Sequence, residues 1–176
     1  MKSVLISIQP KWCGLISRGD KTAEIRKTKP NIKEPFKVYI YCTQRKLNNP
    51  HDVLEIHSMD GKIRKGNGMV IGEFVCGGII SLFNIATDDW KYLCGNVHEH
   101  HKRVVTNCAC LTEKELHEYS KGKNCYVWQI ENLIIYDEPK YLSDFKVRVT
   151  NKIWSFTKKI ERPPQSWCYV EELTAY

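Results

Sequence analysis

Between Gly19 and Lys27 the chain sets Lys21, Thr22, Glu24 and Arg26 in close succession. The segment reads as a turn followed by a short strand, and side chains alternate between the two faces of a strand. Thr22, Glu24 and Arg26 then share one face, Ala23 and Ile25 share the other, and Lys21 sits at the strand's mouth. The fork of an arginine can grip a phosphate or a base edge. A lysine can hold phosphate as a point charge, and a carboxylate can accept from an exocyclic amine such as cytosine N4. In an enzyme, Glu24 would instead be a general base with Lys21 beside it. The competing reading is an ordinary surface ion pair between Glu24 and Arg26, a common and individually weak arrangement.

Two further groups of residues could carry chemistry. Trp12, Tyr39, Tyr41, Trp128, Trp154 and Trp167 are aromatic platforms for unstacked bases if they stand beside cations. Otherwise they are core. Trp12 is the best placed, because it adjoins Lys11 and the motif turn. The second group is Cys94, His98, His100, His101, Cys108 and Cys110. Zinc sites use such ligands, but usually in pairs spaced C-x2-C or H-x3-H. This run has neither pair, so no metal and no cofactor is expected.

The elements that must position these residues follow from periodicity. Val4 to Ile8 reads as a buried strand, and Lys11 to Arg18 as a short helix with Trp12, Leu15 and Ile16 on one face. Gly19 closes that helix. Lys37 to Thr43 alternates Val38, Ile40 and Cys42 against Tyr39, Tyr41 and Thr43, a strand with its aromatic residues on one face. Gln44 to Gly68 is polar and reads as a long loop or loose hairpin. Met69 to Leu82 is a strand broken at Gly77-Gly78, with Glu73 on the face of Ile71 and Val75, at a barrel mouth or paired with a base. Ile85 to Lys102 is irregular to weakly helical. Thr112 and Glu115 form a capping box for a helix over Glu113 to Ser120, which Lys121-Gly122-Lys123 ends. Asn124 to Tyr136 reads as the last long strand, stopped by Pro139. A helical turn over Tyr141 to Phe145 follows, and then a final strand around Trp167 to Val170.

Composition bounds the answer. With 176 residues, 42% hydrophobic and 27% charged, this is the profile of an ordinary folded protein, expected to form one domain over 1–176. No apolar run approaches the roughly 18 residues that a membrane span needs, and Val4 to Ile8 is too short for a signal peptide. A cytoplasmic protein without membrane association is expected. The eight cysteines then read as small core residues rather than disulfides. Residues 1–48 hold eleven lysines and arginines against three acids, whereas residues 49–176 hold sixteen against seventeen. The whole excess of the +7 net charge therefore lies with the motif, which favours a polyanionic partner.

The stretch Ser7 to Lys27, SIQPKWCGLISRGDKTAEIRK, with its G-x-K-x-x-E-x-R core at Gly19, Lys21, Glu24 and Arg26, resembles the ASCH domain of the PUA-like superfamily. The likeness is looser over Phe36 to Thr43 and Met69 to Leu82. Tyr126 to Phe145 and Arg162 to Glu172 look like the larger bacterial and phage ASCH proteins. The resemblance implies an α+β, mainly β fold: a small PUA-like β-barrel with flanking short helices and an elaborated C-terminal part. It also implies a cleft for RNA or nucleoside ligands, lined here by Lys11, Trp12, Lys21, Thr22, Glu24, Arg26 and Lys27. RNA is the expected partner and DNA the alternative. No protein partner is indicated, although an adaptor working through the Gln44 to Gly68 loop or the C-terminal tail is a third reading. Small ASCH amidohydrolases of acetylated cytidine carry G-x-K-T-x-T-x-R. Gly19, Lys21, Thr22 and Arg26 match it, but the threonine nucleophile is replaced by Glu24. A carboxylate does not take over a hydroxyl's part in acyl transfer. An enzyme reading would therefore rest on Lys21 and Glu24 alone, as a ribonuclease or a modified-nucleoside hydrolase.

Overall fold

The computed structural model describes residues 2–44, 53–83, 91–93, 100–150 and 154–173. It divides into two compact units. One comprises Met1–Gly14, Phe36–Val75 and Asn132–Tyr176, and the other Leu15–Pro35 and Cys76–Glu131.

The first unit is built on a five-stranded sheet. Its strands are β1 (Lys2–Ile8), β3 (Phe36–Cys42), β6 (Val70–Cys76), β10 (Glu131–Lys140) and β13 (Trp167–Glu171), in the order β10-β6-β3-β1-β13. β1 runs parallel to β3, with Val4 opposite Val38, and antiparallel to β13, with Lys2 opposite Glu171. As central strands, β1 and β3 are buried along almost their whole length. Both faces must then be apolar, which is why Val38 and Ile40 are as buried as Tyr39 and Tyr41. The two tyrosines pack in a core with Leu5, Val70, Phe145, Ile160 and Val170, and the Tyr39 ring meets the edge of Phe145. They are core residues, not base platforms. The segment after β3 does contain a hairpin, β4 (Glu55–His57) against β5 (Ile63–Lys65). A 3-10 turn at Leu142–Asp144 leads into a second hairpin, β11 (Lys146–Thr150) against β12 (Ser155–Lys159). Glu73 is paired with a base: its carboxylate accepts from Nζ of Lys37 at 2.9 Å and from the hydroxyl of Tyr136.

The second unit carries a four-stranded sheet of β2 (Ala23–Arg26), β7 (Ile79–Phe83), β8 (Lys91–Leu93) and β9 (Cys125–Gln129), in the order β2-β9-β7-β8. Two helices accompany it, α2 (His100–Ala109) and α3 (Glu113–Ser120), and α1 (Pro10–Ser17) leads in from the first unit. Its core gathers Ala23 and Ile25 of β2, Leu82 of β7, Cys125 and Val127 of β9, Val105 and Ala109 of α2 and Leu116 of α3. The capping box forms as expected: Thr112 Oγ1 accepts from the Glu115 N–H while Glu115 Oε2 accepts from the Thr112 N–H. Lys121, in the left-handed region, ends the helix.

Three expectations are corrected. The sheets are not closed into a barrel: β10 and β13 remain the edges of the larger sheet, and closure requires the first and last strands to pair. The long strand expected over Asn124 to Tyr136 is two strands in different sheets, parted at Ile130, with Asn132 at φ 47°. Pro139 does not end β10, which runs to Lys140, because an edge strand tolerates a residue that donates no hydrogen bond. The expected break at Gly77-Gly78 is present and marks the same change of sheet, from β6 to β7. A side chain at either glycine would collide with Glu131 or Gln129. The segment Ile85 to Lys102 holds strand β8 and the start of α2, and the rest of it lies outside the described residues.

Candidate functional site

The site is built on one face of β2. In the antiparallel ladder Glu24 stands opposite Trp128 and Arg26 opposite Tyr126, while Trp128 and Tyr126 in turn face Ile79 and Ser81 of β7. Ala23 and Ile25 go to the core, so the alternation read from the sequence holds. The polar face is not a surface row, however. Lys21, Glu24 and Arg26 are 2%, 7% and 8% exposed, and Trp128 beside them is fully buried. Only the Thr22 side chain is open to solvent.

Glu24 is the hub. Its Oε1 lies 3.1 Å from Nη2 of Arg26, and its Oε2 lies 3.3 Å from Nζ of Lys21. Lys21 also donates to the carbonyl oxygen of Ala109 at 2.6 Å, and the N–H of Thr22 donates to the carbonyl of Cys108 at 2.9 Å. These carbonyls belong to the last turn of α2, where a helix leaves its acceptors unmatched and carries the negative end of its dipole. Cys110, at φ 52°, turns the chain away just beyond them. The carbonyl of Thr22 accepts from the N–H of Ile130. Lys21 and Thr22 thus clasp α2 to β2 and β9, and the ion pairs fix the charged row on that frame.

Beyond Arg26 the same unit carries cations over aromatic rings. Nζ of Lys27 stands 5.1 Å from the centroid of Tyr119, and Nζ of Lys29 stands 5.6 Å from that of Tyr126. Burial raises the Tyr119 phenol above its ordinary value, against the opposing pull of nearby Arg26. Tyr119, Tyr126 and Lys29 were not among the residues singled out from the sequence. The signal available was the alternation of lysine at 27 and 29, but the rings that answer it come from α3 and β9.

Of the other predicted residues, Lys11 and Trp12 lie in the first unit, where Nζ of Lys11 is 4.4 Å from the Trp12 ring. The buried positions of α1 are Pro10, Cys13 and Ile16, and Trp12 is partly exposed. Trp154 is half exposed and packs on Phe156, and Trp167 meets the edge of Tyr169. In the Cys/His run, Cys94 and His98 lie outside the described residues, as do the side chains of His100 and His101. No cluster able to hold a metal occurs among the described residues. Nor is any helix among them long and apolar enough to cross a membrane.

No protein-family model matches the chain, and no curated protein matches it. Solved structures do. A Tyr-to-Phe variant of the ASCH protein from Zymomonas mobilis aligns over 98% of this chain and 92% of its own, with TM-score 0.59 and 16% identity. A Ser-to-Ala variant of the same protein aligns over 97% and 89%, with TM-score 0.59 and 16% identity. The unsubstituted protein aligns over 97% and 88%, with TM-score 0.53 and 16% identity.

Proposed function

The chain has the fold of the ASCH proteins. On that fold we propose that it binds single-stranded RNA, or a modified nucleotide, over the Thr22 to Arg26 face of the second unit, with Lys27 and Lys29 as phosphate contacts. Lys11 and Trp12 offer a further cation and ring in the first unit.

The observation that carries this reading is the buried cluster of two cations around one carboxylate, bordered by two lysine–tyrosine pairs. Taking an ion out of water costs several kcal/mol, and apolar residues in the place of a buried ion pair often leave a protein equally stable or more so. Stability alone therefore does not account for Lys21, Glu24 and Arg26, the charged side chains that are buried among the described residues. Their net positive charge lies beneath a surface on which Thr22, Lys29 and Tyr119 are exposed, and a positively biased surface with aromatic rings suits an unstacked base and its phosphate. The alternative, a ribonuclease or nucleoside hydrolase using Lys21 and Glu24, has less support. Both oxygens of Glu24 are already engaged by cations, so neither is offered to a substrate as a base.

The test is a fluorescence titration with labelled single-stranded RNA, single-stranded DNA and duplex at several salt concentrations, each RNA sample then run on a gel. RNA binding that weakens as salt rises, with intact RNA, is expected. Loss of both Lys27 and Lys29 to alanine should flatten the logarithmic salt dependence by about 0.7 per lysine. Absence of binding at low salt overturns the reading, and shortened RNA replaces it with the enzyme.

A further inference from the structure

The first unit holds a second constellation, separate from the motif. A cavity of about 420 Å3 is lined by Lys2 of β1, Arg148 and Thr150 of β11, and Tyr169, Val170 and Glu171 of β13. Such a volume lies within the usual range for small-molecule sites. β13 is an edge of its sheet, so the cavity opens beside a strand paired on one side only. Lys2 is directly opposite Glu171 in the β1–β13 ladder, and Tyr169, two residues earlier, shares the face of Glu171.

The lining groups make defined contacts with one another. Nε and Nη2 of Arg148 both donate to Oε1 of Glu171, at 2.9 and 2.6 Å. Nζ of Lys2 stands 3.7 Å from the centroid of the Tyr169 ring. Trp167 braces that ring from the side, with centroids 5.3 Å apart and planes at 75°. Two cations against one carboxylate select an anionic ligand, and an aromatic floor selects a flat one.

We infer that this cavity binds a nucleotide, with its base on Tyr169 and its phosphate on Lys2 and Arg148. An exposed ammonium over a ring is held more weakly than a stacked base. A base therefore displaces Lys2 from the ring, and the flexible lysine then meets the phosphate. Oε2 of Glu171 has no hydrogen-bond partner among the described residues. It faces ligands as an acceptor for an exocyclic amine, which cytosine, adenine and guanine carry and uracil lacks. The cavity is lined by residues of the first unit and the motif belongs to the second, and this proposal does not depend on RNA binding there.

Isothermal titration of the full chain with CMP, UMP and ribose 5-phosphate tests it. Saturable one-to-one binding is expected, CMP tighter than UMP, and ribose 5-phosphate weakest. Tyr169→Leu should weaken CMP about tenfold, Tyr169→Phe should restore it, and neither should alter ribose 5-phosphate. Arg148→Ala should weaken all three. Equal affinity for CMP and ribose 5-phosphate, unchanged CMP binding in Tyr169→Leu, or no binding at all overturns the inference. The Lys27/Lys29 double variant should bind CMP as the natural chain does, which separates failure here from failure of the RNA reading. A cytidine oligomer weakened by Tyr169→Leu would identify the source of the nucleotide as a strand. An oligomer unaffected while CMP weakens would identify it as free nucleotide.

Discussion

Nζ of Lys21 lies 2.6 Å from the carbonyl oxygen of Ala109, 88 residues along the chain, and the same atom lies 3.3 Å from Oε2 of Glu24. One ammonium group thus closes the C-terminal end of α2 and neutralises the carboxylate at the centre of the candidate site. Fold and site share an atom, and a substitution there acts on both.

Replacing Lys21 by methionine removes a buried cation, leaves Glu24 with one ion pair where it had two, and strips the Ala109 carbonyl of its donor. Breaking a buried pair from one side costs about 3 to 5 kcal/mol. Denaturant unfolding should show a loss of that size. The further change Glu24→Gln should cost much less in this background than in the natural chain, because coupled residues are not additive. Additive losses would mean that the pair is not coupled in solution.

Gly72 within β6 and Gly77 just beyond its end should respond differently to alanine. A Cβ at Gly72 would collide with the backbone carbonyl oxygen of Ile134 on the neighbouring β10, and a backbone in a ladder has little room to shift. A Cβ at Gly77 would meet the carboxylate of Glu131, an exposed side chain that can swing aside. Gly72→Ala should lose about 1 to 3 kcal/mol, the scale of overpacking, and Gly77→Ala clearly less. Thermal unfolding of the two variants checks the order.

The local features of this fold were legible in the sequence. The alternation of Ala23 and Ile25 against Glu24 and Arg26, the glycine stop at Gly19 and the Thr112–Glu115 box each depend on neighbours along the chain. What was hidden depends on distant partners. Nothing in Cys125 to Lys140 alone tells that β9 pairs with β7 while β10 pairs with β6. Nor could the motif show that Lys21 would be buried, because its acceptor comes from α2. The sequence pattern reaches only the first residues of that helix, as the end of an irregular to weakly helical stretch over Ile85 to Lys102. The sequence also placed Tyr39 and Tyr41 together on one face, but burial on both sides of β3 made them core.

Stability should fall at alkaline pH, through groups that can be named. The hydrogen bond that Lys37 donates to the Glu73 carboxylate holds its ammonium above the ordinary pKa of 10.5. Its contribution is complete below that value and is lost as pH rises through the folded pKa. Burial pushes the Cys76 thiol up from 9.0 to about 12, so its contribution begins to fall earlier, above pH 9. Lys37→Met should flatten the later part of the decline in a series of unfolding curves from pH 8 to 12 and leave the earlier part intact. An unchanged profile would remove Lys37 from the account.

Glu24→Gln separates the two functional readings. It keeps the shape of the side chain but leaves Lys21 and Arg26 buried around a neutral group, so the fold should lose about 3 to 5 kcal/mol. If the face binds phosphate, the added net positive charge should tighten RNA binding at low salt by about 1 kcal/mol, roughly fivefold. If Glu24 is a catalytic base, the same change should abolish turnover without that gain. Titration of labelled RNA at a temperature where the variant is folded, with a gel of the recovered strand, reads both quantities from one sample. Weaker binding with intact RNA would show that the carboxylate itself contacts the ligand, and the role assigned to it as a counter-ion would be wrong.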